Sequence, residues 1–249
     1  MKSKKISLKN LYRIYDHPSI ILFRSIELTT IYNLTKDIIF KSPSLDIGCG
    51  DGEIASTIFD DKFTYGVDNG EVEDYKEAIK HNRYEKVLLE GAQKMSLPDK
   101  SVNFVFSNSV LEHIPPIDEV LSEASRVLKS NGFFVFTVPS VYFTEYLFFK
   151  KIFGDFYSTN LNKKFNHYNL YDHKKWISKL QKNGFEIVDY KYYISKDALQ
   201  LWDRLLVLGF LGLKKLALQF FEKKITAIYN EQQPSEKEGA CLFFLCRKL

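Results

Sequence analysis

Residues 45–52 read Leu45-Asp46-Ile47-Gly48-Cys49-Gly50-Asp51-Gly52. A short apolar segment runs into an acid, glycines follow at every second position, and a stretch with helical character occupies 53–59. The order is strand, tight turn, helix start. Glycine, lacking a Cβ, lets the backbone take positive φ and lets a ligand approach the main chain closely. The unpaired N–H groups of the following helix start add a weakly positive end. A nucleotide-like ligand is the natural occupant.

Working outward, the apolar segment 63–67 reads as a second strand ending in Asp68-Asn69. An acid at the end of that strand can accept both ribose hydroxyls in nucleotide-binding sheets. Its plainer reading is a helix N-cap or a turn acid. Residues 71–82 carry a weak helical pattern, 87–90 a short third strand, and 103–107 (Asn-Phe-Val-Phe-Ser) a fourth, apolar enough to be buried on both faces of a parallel sheet. Ligands lie outside the carboxyl ends of such strands, so the loop from Asn108 and Ser109 to Ile114 faces the site. Pro115 and Pro116 then open a helix that runs through Arg126-Val127-Leu128-Lys129, with Gly132 expected as its C-cap and a fifth strand over 133–138. The glycines alone leave a dinucleotide fold open, because Gly50, Gly52 and Ala55 also fit Gly-x-Gly-x-x-Ala; nothing after Asp68 supports it.

The octapeptide resembles motif I of the class I S-adenosylmethionine-dependent methyltransferases. The ordered series of Leu111-Glu112-His113-Ile114, the helix ending at Lys129, Asn131-Gly132 and the strand 133–138 is similar to the core of the small-molecule, type 11-like members. The resemblance spans 45–139. It implies an α/β, Rossmann-like seven-stranded sheet, mostly parallel with the last strand antiparallel, in one domain over 1–249. It also implies S-adenosylmethionine as methyl donor and S-adenosylhomocysteine as product. Donor contacts are then expected at Asp46, Gly48, Cys49, Gly50, Gly52, Asp68, Asn69, Asn108 and Ser109, with Ala92, Gln93 and Met95 beside the adenine. Many relatives carry an acid just before that alanine, where this chain has Gly91. Cys49 is expected to pack in the turn rather than to act as a nucleophile.

Outside the core, apolar residues at spacings of three and four mark 1–41 as a helical cap. The segment 141–171 is rich in aromatics and longer than ordinary connections, which suits a lid over an acceptor. A helix over 172–183 closed by Gly184, a sixth strand over 185–194 and a last strand over 240–246 complete the sheet. Between them, 199–231 holds an apolar run at 205–213, too short to cross a bilayer. Arg204, Lys214, Lys215, Lys223 and Lys224 lie alongside it. Three readings stay open for 199–224: peripheral membrane contact, a homodimer contact, or a second lid.

A positioned base helps only if the acceptor is a hydroxyl. His113, in the loop facing the methyl group, is the first candidate, and His167 in Phe165-Asn166-His167-Tyr168 the second. Glu112 beside His113 suggests a metal, but no further histidine or acid falls at ligand spacing nearby, so no metal is expected. The 249 residues suit one α/β domain with embellishments. A net charge of +4 from 35 basic and 31 acidic residues is too even for a nucleic-acid binder. Three scattered cysteines form neither a disulfide framework nor a zinc array, which implies a cytoplasmic setting, with the inner membrane face as the site of any peripheral contact. The expected acceptor is a small or lipid-linked molecule, such as a carbohydrate or surface-glycan precursor. A lipid or quinone acceptor and a non-catalytic scaffold are the rivals.

Overall fold

The computed structural model describes residues 1–70, 72–231 and 233–249. Its strands are β1 (Ser44–Ile47), β2 (Phe63–Asp68), β3 (Tyr84–Leu89), β4 (Val102–Asn108), β5 (Leu128–Pro139), β6 (Phe185–Tyr193) and β7 (Cys241–Lys248). They form one seven-stranded sheet in the order β3-β2-β1-β4-β5-β7-β6. The pairs from β3 to β5 are parallel, and β7 lies antiparallel between β5 and β6. The last strand is thus the reversed one, as expected.

Helices α1 (Leu8–Ile14) and α2 (Pro18–Thr35) precede β1 and form the cap. They are followed by α3 (Glu53–Ile58), α4 (Val72–Lys80), α5 (Ile117–Val127), α6 (Tyr142–Glu145), α7 (Lys150–Lys164), α8 (His173–Lys182), α9 (Lys196–Phe210) and α10 (Lys214–Glu231). The helix expected over 71–82 is α4; residue 71 lies outside the described residues. Side chains alternate across the sheet with the period of two that a strand imposes. Phe104 and Phe106 face the α2 side with Phe40 and Phe59, whereas Val105 faces α5 with Val120 and Leu121. Phe40 stacks on Phe104 at 4.1 Å, which seats the segment after α2 on the middle of the sheet.

Two local readings needed correction. β3 begins at Tyr84 rather than 87. It is the sheet's edge, so Glu85 and Lys86 remain exposed and break the apolar run that marks an inner strand. Gly132 is not the C-cap of α5. That helix ends at Val127, Leu128 is already extended, and the left-handed residue is Asn131 at φ 64°. Gly132 sits inside β5, where a Cβ would come within 3.0 Å of the Asn103 carbonyl oxygen. Close strand approach is the reason for glycine there.

The apolar run in the insertion divides between core and surface. α9 lays Leu199, Leu201, Leu205 and Leu206 into the interior and packs along α2. Its buried Asp203 accepts from the Phe149 N–H at 3.0 Å and from the Tyr157 hydroxyl, which ties the aromatic segment to the insertion. Phe210, Leu211, Leu213, Leu216 and Phe220 stay exposed around the turn into α10. Among the described residues, no helix is long and apolar enough to cross a membrane.

Candidate active site

The glycine turn is built by main-chain bonds to the end of the neighbouring strand. The N–H groups of Gly48 and Cys49 both donate to the Val67 carbonyl, at 2.8 and 3.2 Å. Gly50 N–H donates to Asp68 Oδ2 at 2.8 Å, and Gly70 N–H donates to Asp68 Oδ1 at 2.7 Å. Each carboxylate oxygen keeps a second lone pair. The two outer glycines of the triplet Gly48, Gly50 and Gly52 serve the protein itself: a Cβ on Gly48 would lie 2.3 Å from Val110, and one on Gly52 would lie 2.5 Å from Tyr84. Gly50, at φ 48°, has nothing within 4 Å of such a Cβ and faces open space.

Three cavities follow the carboxyl ends of β1, β2 and β4. A first, of about 360 Å³, is bounded by Gly48, Asp68, Asn69, Ala92, Gln93 and His113. A small one, of about 210 Å³, lies over Asp46, Cys49, Gly50 and Asn108 and is closed by Arg24. A third, of about 440 Å³, is walled by Tyr15, Phe23, Phe143, Phe165 and Trp202, with Ser109, Glu112, His113 and His167 at its polar end. The small cavity shares Gly48 and Val110 with the first and Arg24, Asp51 and Ser109 with the third, and His113 lines both larger ones.

The structure brings most of the expected donor contacts to these walls. Asp46 is 4% exposed and accepts from the Tyr84 hydroxyl at 2.6 Å. Burial pushes its pKa up to about 7 against that hydrogen bond, with Asp68 adding to the rise. Cys49 is buried against Gly66, and burial pushes its thiol pKa well up, which suits packing. The Gln93 amide folds over Gly91, occupying the space an acid's Cβ would need there. Met95 belongs to the core on the α5 side, and its N–H is taken by Glu123 at 2.8 Å, so it is a packing residue rather than a wall of the first cavity. Gly52 likewise works as the left-handed N-cap of α3.

Sequence reasoning missed the buried acid that ties together the segments around the site. Glu27, on α2, is fully buried and accepts from Ser109 Oγ at 2.8 Å, Tyr193 Oη at 2.9 Å, Asn108 Nδ2 at 3.2 Å and Thr137 Oγ1 at 3.3 Å. Its fifth partner is the Arg24 guanidinium, one turn earlier. Burial works to raise the Glu27 pKa, but Arg24 and the donated hydrogen bonds outweigh it and hold the carboxyl below its usual range. An acid-base pair three apart in an otherwise uncharged helix was the available signal. The expected donor contacts Asn108 and Ser109 therefore spend side-chain groups on Glu27, with Ser109 held at φ 53°.

His113 and His167, the two candidate bases, come from segments 54 positions apart and meet with ring centroids 5.3 Å apart. The Tyr168 and Asn169 N–H groups donate to the Glu112 carbonyl, and Asn169 Nδ2 donates to the Leu111 and Ile114 carbonyls at 2.8 and 2.7 Å. Burial lowers the pKa of both histidines; for His167, with His113 adding to it, the value is about 4. Glu112 is 2% exposed, and burial raises its pKa to about 8. The third potential ligand absent from the local spacing of Glu112 and His113 is thus supplied from the aromatic segment, since ligand atoms of Glu112, His113 and His167 all lie within 4.8 Å of one another.

Residues 45–136 match the family model described as a methyltransferase domain. No curated protein sequence matches the chain. Among solved structures, a SAM-dependent methyltransferase from Thermotoga maritima is similar at 18% identity and a TM-score of 0.61, over 97% of each chain. Geranyl diphosphate C-methyltransferase from Streptomyces coelicolor, in complex with Mg2+, geranyl diphosphate and S-adenosyl-L-homocysteine, aligns at 13% identity and a TM-score of 0.58, covering 90% of this chain and 78% of that one. A phosphoethanolamine N-methyltransferase from Haemonchus contortus aligns at 16% identity and 0.56, covering 98% of this chain and 60% of that one.

Proposed function

We propose that the chain moves the methyl group of S-adenosylmethionine to a small or lipid-linked acceptor, a reading supported by the match of residues 45–136 to the methyltransferase-domain model and by the fold. The observation that carries this reading is the connected series of cavities: a polar, glycine-walled pair joins an aromatic chamber at Ser109 and His113. The sulfonium supplies an already activated methyl group, so the protein's work is alignment and exclusion of water. The free lone pairs of Asp68 are set to accept ribose hydroxyls, and the main chain at Ala92 and Gln93 borders the base position. The open face of Gly50 leaves room beside the turn. Arg24, paired with Glu27, closes the small cavity where a donor carboxylate would end.

In the aromatic chamber, Phe23, Phe143, Phe165 and Trp202 hold the body of the acceptor. Such walls stack on a sugar ring or line a lipid or quinone with equal ease. At its polar end the lowered pKa values of His113 and His167 keep both imidazoles neutral at pH 7, with nitrogen lone pairs available beside the accepting atom. A lipid-linked acceptor is favoured by the exposed Phe210, Leu211 and Phe220, near Lys214, Lys215, Lys223 and Lys224, an arrangement suited to an interface.

Calorimetric titration with S-adenosylmethionine and S-adenosylhomocysteine, with NAD as control, tests the reading. Micromolar binding of the first two alone is expected, followed by turnover in a screen of glycan, lipid and quinone acceptors. Absence of binding to both would favour a scaffold that retains the fold without the donor.

A further inference from the structure

We propose that Glu112, His113 and His167 form a site for a divalent first-row cation of the Zn2+, Co2+ or Mn2+ kind, whose open positions take an oxygen of the acceptor. The inference rests on reading the aromatic chamber as the acceptor site. Three independent features of the cluster point to it. The first is convergence: one carboxylate oxygen and one nitrogen from each ring lie within 4.8 Å of one another, and Glu112 Oε1 is 3.7 Å from His113 Nε2. Metal–ligand distances of about 2.0–2.2 Å in a tetrahedral site put ligand atoms roughly 3.3 Å apart, so the set needs to close by at most about 1.5 Å.

The second is the setting of both rings. His113 Nδ1 lies 3.2 Å from the Asn166 carbonyl oxygen, and His167 Nδ1 lies 3.3 Å from Asn162 Oδ1. An acceptor oxygen beside each Nδ1 favours the tautomer with the proton there and the lone pair on Nε2. Metal-ligating histidines are held in this way, with the second ring nitrogen donating to an oxygen that fixes tautomer and orientation. The third is Glu112 Oε2, which is buried and has no hydrogen-bond partner among the described residues. A buried carboxylate oxygen left unpaired is costly, and a cation beside it removes the cost. Asn169 holds the two ligand-bearing segments together through the carbonyls of Leu111 and Ile114, so the ligands stand on fixed ground.

Two imidazoles and one carboxylate match the donor set of zinc sites that keep a position open, whereas Mg2+ and Ca2+ favour oxygen ligands. Ser109 and the aromatic wall border the same cavity, so the vacant positions of the cation would face the acceptor. A hydroxyl bound there loses its proton to solvent at neutral pH because the cation stabilises the alkoxide or phenoxide. The oxygen lone pair then forms the bond to the methyl carbon while the carbon–sulfur bond breaks and its electron pair stays on sulfur, leaving a neutral thioether. His113 and His167 act in this scheme as ligands, and the acceptor atom is oxygen.

The test uses the full chain stripped with a chelator and titrated with Co2+ alone, read by visible d–d absorption and by calorimetry, with Zn2+ as competitor. One equivalent of Co2+, displaced by Zn2+, is expected. His167→Ala and Glu112→Gln should abolish the absorption, and Asn162→Ala, which removes only the partner of His167 Nδ1, should weaken binding about 10–100-fold. Binding of S-adenosylmethionine to each metal-free variant reports that it is folded and checks the donor reading separately. No Co2+ binding, or binding unchanged in His167→Ala and Glu112→Gln, would overturn the site while leaving the donor reading intact.

Discussion

The Tyr193 hydroxyl, at the end of β6, donates to the Glu27 carboxylate of α2 at 2.9 Å, joining residues 166 positions apart in the interior. Through Glu27 the amino-terminal cap is fastened to the ends of β4, β5 and β6, beside the cavities where chemistry is proposed. Removing this acid leaves the part-buried Arg24 guanidinium without its carboxylate and orphans the four hydrogen-bond donors that converge on Glu27. Glu27→Ala should therefore cost about 3–5 kcal/mol, and Tyr193→Phe, which removes one bond to a charged group, about 1.5–3 kcal/mol. Urea denaturation of the two variants measures both; equal losses would show that Glu27 is not the hub.

Asp68 ties the glycine turn to the end of β2, and its spare lone pairs are assigned to the donor ribose. Asp68→Asn should leave the circular dichroism spectrum unchanged and weaken S-adenosylmethionine binding at least tenfold, about 1.4 kcal/mol. Wild-type affinity in the variant would remove the ribose assignment.

The glycines of the turn should separate into two kinds. Gly48→Ala drives a methyl group to 2.3 Å from Val110 and should destabilise the fold by about 1–3 kcal/mol through overpacking, besides its strain at positive φ. Gly50→Ala meets no protein atom, so its folding cost should be limited to about 1–2 kcal/mol of left-handed strain while donor affinity falls. Thermal unfolding and calorimetry on the pair distinguish the two costs.

Burial raises the pKa of Asp46 from its usual carboxylate value to about 7. A group whose pKa is higher folded than unfolded contributes stability that is complete below its unfolded value, near 4, and is lost as pH rises through its folded one. Thermal unfolding of the wild type between pH 4 and pH 8 should therefore show a declining component that Asp46→Asn removes. A variant with the same pH slope as wild type would show that Asp46 is ionised in the fold throughout.

Phe220 is 72% exposed on α10. Phe220→Ser should change stability by less than about 0.5 kcal/mol and should lower co-sedimentation with anionic liposomes if the proposed acceptor is lipid-linked. Equal sedimentation of wild type and variant would direct the acceptor screen to soluble molecules.

Local chemistry determined a good deal of this protein. Ser44–Ile47 is the first strand, because an acid-bearing segment leading into Gly48-Cys49-Gly50-Asp51-Gly52 marks a strand that ends in a tight turn. Gly184 closes α8 at φ 78°, and Asp68 stands at the end of β2, since turns and strand ends are set by short-range sterics and hydrogen bonding. Those residues gave the sheet and the donor side of the site. Tertiary structure alone decided the rest. An edge strand such as β3 lacks the apolar signature, and Gly132 was needed for the approach of two strands rather than for the cap its neighbours suggested. Glu27, which sits like a solvated helix acid in the sequence, became the buried partner of residues at the ends of β4, β5 and β6. His167 joined Glu112 and His113 across 54 positions, because Asn169 bonds to the turn that carries them. Such contacts depend on where the sheet brings distant segments together, and spacing along the chain holds no record of it.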